Sequence, residues 1–434
     1  MRSASPLVLT SDFKLNCTGC GACAGICSAE CLTMTLESDG VYRPDKAEDR
    51  ACIDCGKCAR VCPGVDWGLP EADKIIYPGT IFRDALGRLV SCYAGFASDE
   101  TIRVNSSSGG IVTAILVDLL ERGKIDGAIV VGVGRDHPLR PEMYIARTKE
   151  EILRASKSKY APVHLESAIK SMKTHPEEHY ALVGLPCHIQ GIRKAQGAGL
   201  IKAEQIVVTL GLFCGHGASI NLTKFIMKKY HVQEAKVIRM DYRAGGWPSF
   251  GYLFETPDTQ TFVPFRGSIL GTAWIHNFFT PKRCLICGDL TAESADLSFG
   301  DAWLPEFTDQ RDSKKGGWSV IICRDQRWIA YLGSVETKVK LFLREISPKE
   351  IEKSQSTGLV SKKIMAQKRE QILYRRKKNS IRIDTRLTKQ YLRALIQCCH
   401  IKIIQSLYRK GLLVKIPDRL IIVYFWVHAR LGLL

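Results

Sequence analysis

Apolar and polar positions along the chain predict a mixed fold. Residues 32–36 and 41–43 form short strand-like runs on either side of Asp39-Gly40, a hairpin signal. Residues 110–120 read as an apolar-rich helix, and 125–133 as a β-branched strand ending in glycines. Helix followed by buried strand points to an α/β layer. Further apolar strands are expected at 180–183, 206–210 and 319–323, between Gly-rich turns. Beyond 345 the pattern turns helical and basic. Tyr391, Leu392, Leu395 and Ile396, then Ile403, Ile404 and Leu407, recur at helical spacing. The apolar run of eight at 420–427 falls far short of the roughly 20 residues a membrane span requires. Four segments follow: 1–70, 71–175, 176–345 and a basic helical tail, 346–434. The fold class is α+β or α/β, a small cysteine-rich module ahead of a mixed α/β body.

Charge changes the picture only for the tail. The chain of 434 residues carries a formal net charge of +18. From Val360 onward there are 18 Lys and Arg against three acids, a net of +15, so the rest is nearly neutral. Arg375-Arg376-Lys377-Lys378 is the densest basic cluster. Apolar residues mixed with bases suit a helix lying in a membrane interface; the alternatives are packing on the body with a solvated basic face, or docking on an acidic partner. No recognised nucleic-acid module interleaves with these bases, so nucleic acid is not an expected partner. The N-terminus shows no signal-peptide core, which places the chain in the cytoplasm, at the inner face of the cell membrane if the tail meets lipid.

Cysteine usage changes it more. Of 17 cysteines, most lie in Cys-x-x-Cys runs, which in a reducing compartment read as metal sites rather than disulfides. Cys17, Cys20, Cys23 and Cys27 follow C-x2-C-x2-C-x3-C; Cys52, Cys55, Cys58 and Cys62 repeat it, with Pro63 next. In this two-cluster ferredoxin pattern the fourth cysteine of each run ligates the other cluster. One 4Fe-4S cluster is therefore assigned to Cys17, Cys20, Cys23 and Cys62, and the second to Cys52, Cys55, Cys58 and Cys27. Gly19, Gly21 and Gly56 keep the wrapping loops free of side chains. Zinc is the alternative, but it has no use for three closely spaced thiolates and a crossed fourth. Cys284 and Cys287, with Cys187 and Cys214 at strand ends, make a further four-thiolate set. A third 4Fe-4S cluster, a zinc site and unrelated buried thiols are all open readings of it. His188 and His216, beside those cysteines, suit second-shell hydrogen bonding, with proton donation as the alternative. Cys31, Cys92, Cys323, Cys398 and Cys399 read as packed thiols.

Ser106-Ser107-Ser108-Gly109-Gly110 precedes the 110–120 helix. Glycines and hydroxyls there form an anion cradle or a simple N-cap. Gly132-x-Gly134 lacks a third glycine and Pro138 follows, which excludes a Rossmann fingerprint. No Ser-His-Asp, H-E-x-x-H or P-loop pattern appears.

Together the phrases SSSGGIVTAILVDLLERGKIDGAIVVG from Ser106, KSKYAP from Lys157, GLPCHIQGIRK from Gly184, GLFCGH from Gly211, CLICGDLTAESADLSFGDAW from Cys284 and GGWSVIICR from Gly316 resemble the beta-subunit family of coenzyme F420 hydrogenases and dehydrogenases. The resemblance covers roughly 91–378, with the ferredoxin module fused ahead. It implies FAD and electron passage between clusters and an organic acceptor, with ferredoxin or a reduced deazaflavin as redox partner. It points to Ser107, Ser108, Gly109, Gly110 and Thr113 around the FAD, with Lys157, Lys159 and Tyr160 as basic and aromatic contacts. Gly317, Trp318 and Ser319 lie in another shared motif, where Trp318 also suits a core position. Bacterial members in surface-polysaccharide gene neighbourhoods extend the range of acceptors. Physical chemistry asks for a flavin too, because clusters move single electrons while most organic reductions take two. A non-catalytic electron-transfer subunit and a redox-sensing nucleic-acid binder are the competing functions.

Overall fold

A computed structural model describes residues 6–64, 81–83, 85–134, 137–308, 316–373 and 389–430. The expected 70/71 boundary and the Arg375–Lys378 cluster lie outside the described residues. The cysteine-rich module contains the expected hairpin, β1 (Leu32–Leu36) and β2 (Tyr42–Lys46), paired antiparallel. A short pair follows, β3 (Ile81–Arg83) and β4 (Gly87–Leu89).

The body is built on one eight-stranded sheet. Its strands are β5 (Ser91–Ala97), β6 (Gly127–Gly132), β7 (Glu142–Ala146), β8 (Tyr180–Gly184), β9 (Ile206–Leu212), then β13 (Leu297–Asp301), β14 (Ser319–Cys323) and β15 (Leu341–Glu345). They lie in the order β15-β5-β14-β13-β9-β8-β6-β7. Between β9 and β13 the chain makes a separate meander, β10 (Arg239–Ala244), β11 (Gly251–Glu255) and β12 (Gln260–Pro264). The central strands β6, β8, β9 and β13 run parallel; β7 at one edge, and β14, β5 and β15 at the other, pair antiparallel. Strands from 71–175 and from 176–345 thus share one sheet.

Both faces of this sheet are covered, which is why its inner strands are apolar almost without interruption. Ala128, Val130, Ala181, Val208 and Ile321 pack in one core with the helix Ile111–Glu121. On the opposite face, Ile129 and Leu182 meet the helices Glu166–Thr174 and Pro186–Gly197. The ferredoxin helix Ala22–Ile26 joins that second core through Ala22, Ala24 and Ile26. Two glycines permit the close fit. A Cβ on Gly25 would stand 2.7 Å from Cβ of Ile169, and one on Gly191 would stand 2.9 Å from Cβ of Ala22. The cysteine-rich module is therefore seated directly on the helices that lead to the body cysteines.

The tail folds back on the meander side. Its helices Lys389–Arg409 and Asp418–Arg430, with the 3-10 turn Leu413–Lys415 between them, place Ile404, Leu413, Ile421 and Phe425 in a core with Phe225 and Phe278. Their outer faces keep Leu392, Leu395, Ile403, Leu420, Val423, Tyr424, Trp426 and Val427 exposed, Leu420 and Trp426 at 57% each. Among the described residues no helix is long and apolar enough to cross a membrane.

Candidate functional site

Each half of the ferredoxin module repeats one local device. A glycine in the left-handed region, Gly21 at φ +75° and Gly56 at φ +66°, opens a short helix that carries the third cysteine of its run, Cys23 or Cys58. A Cβ at Gly56 would meet nothing within 4 Å, so conformation rather than space requires glycine there. The fold gathers the thiols in crossed sets. Cys23 feels Cys20, Cys17 and Cys62 before Cys58 of the other run, while Cys58 feels Cys27. Cys27, Cys52, Cys55 and Cys58 share one small cleft, with Cys31 beside them. The Cys31 sulfur is buried 3.5 Å from that of Cys27, so this thiol packs against the second set. Burial pushes Cys17 and Cys62 up to about 11. Four such groups become thiolates together only when a cationic centre compensates them. Among the described residues no three His, Cys, Asp or Glu side chains converge on a single-ion site. In a four-iron cube each thiolate holds its own iron, so the ligands stand further apart than the sulfurs of one tetrahedral zinc.

The body cysteines also come together. Parallel β8 and β9 end at the same edge of the sheet, where ligand sites of α/β sheets form. Cys187 starts the helix after β8, Cys214 follows β9, and Cys284 and Cys287 sit on and just after the helix Lys282–Leu285. Burial raises Cys187 well above its usual range, and Cys20, Cys214, Cys284 and Cys287 add to the rise. This third set therefore adjoins the first; a Cβ on Gly191 would stand 3.7 Å from the Cys20 sulfur. His188 receives a hydrogen bond from the Leu185 N–H and lies 3.3 Å from the Val163 carbonyl; burial depresses it to about 4. His216 contacts Thr280 and packs on Trp274, and burial again depresses it to about 4. Both are neutral orienting groups near neutral pH. A buried lysine that the sequence reading passed over, Lys362, reaches the same thiols from a π-helical turn, Val360–Met365. Burial lowers the pKa of its ammonium, but the surrounding thiols raise it further.

Beside the third set opens a cavity of about 1810 Å3. Ordinary ligand pockets span roughly 300–1,000 Å3, so there is room for a cluster and a large organic cofactor. Cys187, Cys214 and Cys284 line it, as do Ser107, Ser108, Gly110, Thr113, Lys157, Lys159, Tyr160 and Ser319. The serine-glycine loop is held in shape here. Ser107 Oγ accepts from the Ser158 N–H at 2.8 Å, and Ser319 Oγ accepts from the Gly109 N–H at 3.0 Å. Gly110, at φ +77°, turns the chain into the helix Ile111–Glu121, and no side chain caps that N-terminus. A Cβ on Gly109 would stand 2.5 Å from the Gly95 carbonyl oxygen. A helix N-terminus without a capping side chain, beside the cavity, suits an anionic cofactor.

Other expected contacts take different places. Gly317 donates to the Ser108 carbonyl and backs the loop from behind, and Trp318 packs among Phe96, Phe307 and Phe342 as core. Lys157 is paired with Asp241 at 2.7 Å. Lys159 donates to the carbonyls of Ala155, Ser156 and Lys157, and burial lowers it to about 7. The sequence reading also missed Arg243. Its buried guanidinium donates to Asp301 at 3.1 Å, to Tyr160 Oη at 2.9 Å and to the Ser107 carbonyl at 2.5 Å, and stacks on Phe250.

The coenzyme F420 hydrogenase/dehydrogenase beta-subunit profiles match at 92–170 for the N-terminal part and 177–349 for the C-terminal part. A 4Fe-4S dicluster domain matches at 16–66. The coenzyme F420-dependent sulfite reductase of Methanocaldococcus jannaschii is 28% identical over 77% of this chain; the match spans 49% of that protein, about half its length. The coenzyme F420 hydrogenase subunit beta of Methanosarcina barkeri is 29% identical over 63% of this chain and 92% of its own. In the solved F420-reducing [NiFe] hydrogenase complex from Methanosarcina barkeri, one chain shares the fold with a TM-score of 0.51 and 23% identity, covering 67% of this chain and 96% of that one. The two profile matches together span more than half of the residues, and the chain belongs to the coenzyme F420 hydrogenase/dehydrogenase beta-subunit family, with a 4Fe-4S dicluster domain ahead of the family region.

Proposed function

We propose that the chain is an iron–sulfur flavoprotein oxidoreductase with three 4Fe-4S clusters and one FAD, passing electrons between ferredoxin or a deazaflavin and an organic acceptor. The observation that supports this is proximity: Cys58 of the second thiol set acts electrostatically on Cys23 of the first, Cys20 of the first acts on Cys187 of the third, and the third lines the cavity. When bound, the clusters carry single electrons and the flavin pairs them for a two-electron acceptor. The protein's part is to hold and insulate. The serine-glycine loop offers N–H groups to the cofactor phosphates, Arg243 fixes that loop to Asp301, and Tyr160, Trp274 and Phe250 close the walls. A cavity of this size favours a chain with its own organic site over a purely electron-conducting subunit. The F420-dependent activities of the relatives make a deazaflavin the first partner to test, followed by sugar-linked acceptors of surface-polysaccharide assembly.

Anaerobically prepared full-length protein should hold about twelve irons, four per cluster, and one flavin. Cys284→Ala should remove about four irons and leave the ferredoxin signals. An iron content unchanged by Cys284→Ala would refute the third cluster. Turnover of reduced deazaflavin by the isolated chain separates an enzyme from a conducting subunit.

For the tail, the reading includes contact with an anionic membrane surface. Bases and exposed apolar side chains share these helices, as in interfacial anchors.

A further inference from the structure

We propose that Lys362 is a positioning residue that compensates the charge of the third thiol set and makes its cluster easier to reduce. The inference rests on the third-cluster reading above. Lys362 lies past the end of the family match at residue 349. Its exposure is 2%, although lysine is rarely buried without a partner. The groups around its ammonium are thiols: Cys287 within hydrogen-bond reach, then Cys214 and Cys284.

The backbone that delivers it is itself unusual. Val360–Met365 is a π-helical turn inside a longer helical segment, a rare feature that occurs mostly at functional sites. The extra residue of such a turn shifts the side chains beyond it around the helix axis. The segment is pinned to the cysteine loop on both sides of Lys362. The Lys362 carbonyl packs 3.8 Å from where a Cβ on Gly288 would lie, directly after Cys287. Lys363 pairs with Glu293, and Arg369 donates to the Leu285 carbonyl at 2.7 Å and back to the Ser361 carbonyl at 2.7 Å. Arg369 is thus committed to neutral oxygens, Gln397 Oε1 among them, while Arg283, whose Nε donates to the Asn16 carbonyl, is a second buried cation that acts on Cys284 and Cys62. Asp289, close enough to act on Cys214, opposes the lysine.

Each electron added to a thiolate-ligated cluster makes it one charge more negative, and no proton need follow. A fixed ammonium in a dry setting favours the reduced form, since hydrogen bonds to sulfur and local charge set cluster potentials. Lys362 would then make the third cluster a resting place for electrons arriving from the first.

The test is a redox titration of anaerobic full-length protein followed by electron paramagnetic resonance. The third-cluster signal is identified by its loss in Cys284→Ala. Lys362→Met should shift that couple at least tenfold toward the oxidised form, about 59 mV downward for one electron, with iron content and the other signals unchanged. Lys362→Arg should restore most of the shift. Loss of four irons in Lys362→Met but not in Lys362→Arg would also support a charge role. An unmoved midpoint with full iron in Lys362→Met, or equal iron loss in both variants, would overturn it. If wild type shows no signal sensitive to Cys284→Ala, the third-cluster reading falls and this inference with it.

Discussion

Arg243 serves Asp301, Tyr160 and the Ser107 carbonyl from a single buried guanidinium, so it has no neutral substitute. Arg243→Gln should destabilise the protein by about 2–4 kcal/mol, short of the full cost of breaking a buried pair because Asp301 is partly open to solvent. Flavin content should fall with it, since the serine-glycine loop loses its anchor. Thermal denaturation and flavin absorbance of the purified variant check both; wild-type values for both would remove Arg243 from the site. The sequence did not point to this residue. Arg243 and Ser107 stand 136 positions apart, and no local pattern marks a side chain whose partners all lie elsewhere in the chain. The ferredoxin cysteines were legible for the opposite reason, because the whole ligand grammar is written in spacings of two and three. Lys362 was hidden in another way: among so many tail bases, a buried lysine and a solvated one look alike.

Among the elements, the strands rich in β-branched residues were read nearly to their ends, β14 at 319–323 among them. β5 was not. Its sequence Ser91–Ala97 includes Gly95, where a Cβ would stand 2.1 Å from the Phe342 carbonyl oxygen, so close strand approach replaces the bulky residues that signal a strand. The meander β10–β12 escaped although Gly245-Gly246 and Pro257-Asp258 mark its two bends. The last helix, Asp418–Arg430, is expected to dock in a pH-dependent way. Its Phe425 stacks on His276, with ring centroids 4.4 Å apart, and burial depresses His276 to about 4; His400, also depressed by burial, lies beside them, and His428 packs against His400. A folded value below the ordinary 6.5 means the unfolded state takes up protons first. The stabilisation is therefore full above about 6.5 and is lost as pH falls toward 4. Hydrogen exchange in 418–430 should be several-fold faster at pH 5 than at pH 7.5. His276→Phe keeps the stack and should shrink that difference, leaving the part owed to His400. Equal protection at both pH values would show that these rings do not govern docking.

At the scale of the whole molecule, the tail packs on the body, and the membrane contact proposed above would use its other side. One side of each tail helix is core, and the other exposes apolar residues beside bases. Anionic lipid attracts such a surface by about 1 kcal/mol per base close to it. Full-length protein should sediment with liposomes containing phosphatidylserine at low salt, and more weakly at high salt. Replacing Leu420, Val423 and Trp426 together by Ser should abolish sedimentation and leave the fold intact, because none of the three is buried. If the triple variant sediments like wild type, the outer face is not the anchor. The basic count alone raises the expectation of an anionic partner, but which apolar side chains face outward depends on how the tail packs.

The thiol sets differ in how much protein covers them, and this bears on durability. Cys55 is exposed, whereas Cys20, Cys23, Cys27 and Cys58 are buried. In the proposed second cluster, the corner held by Cys55 would be where dissolved oxygen arrives first and where corrosion of the metal would begin. It is also the corner a docking protein can shelter. A mate seated there would act as a stopper as well as a donor, and the protein would weather air better in its company than alone.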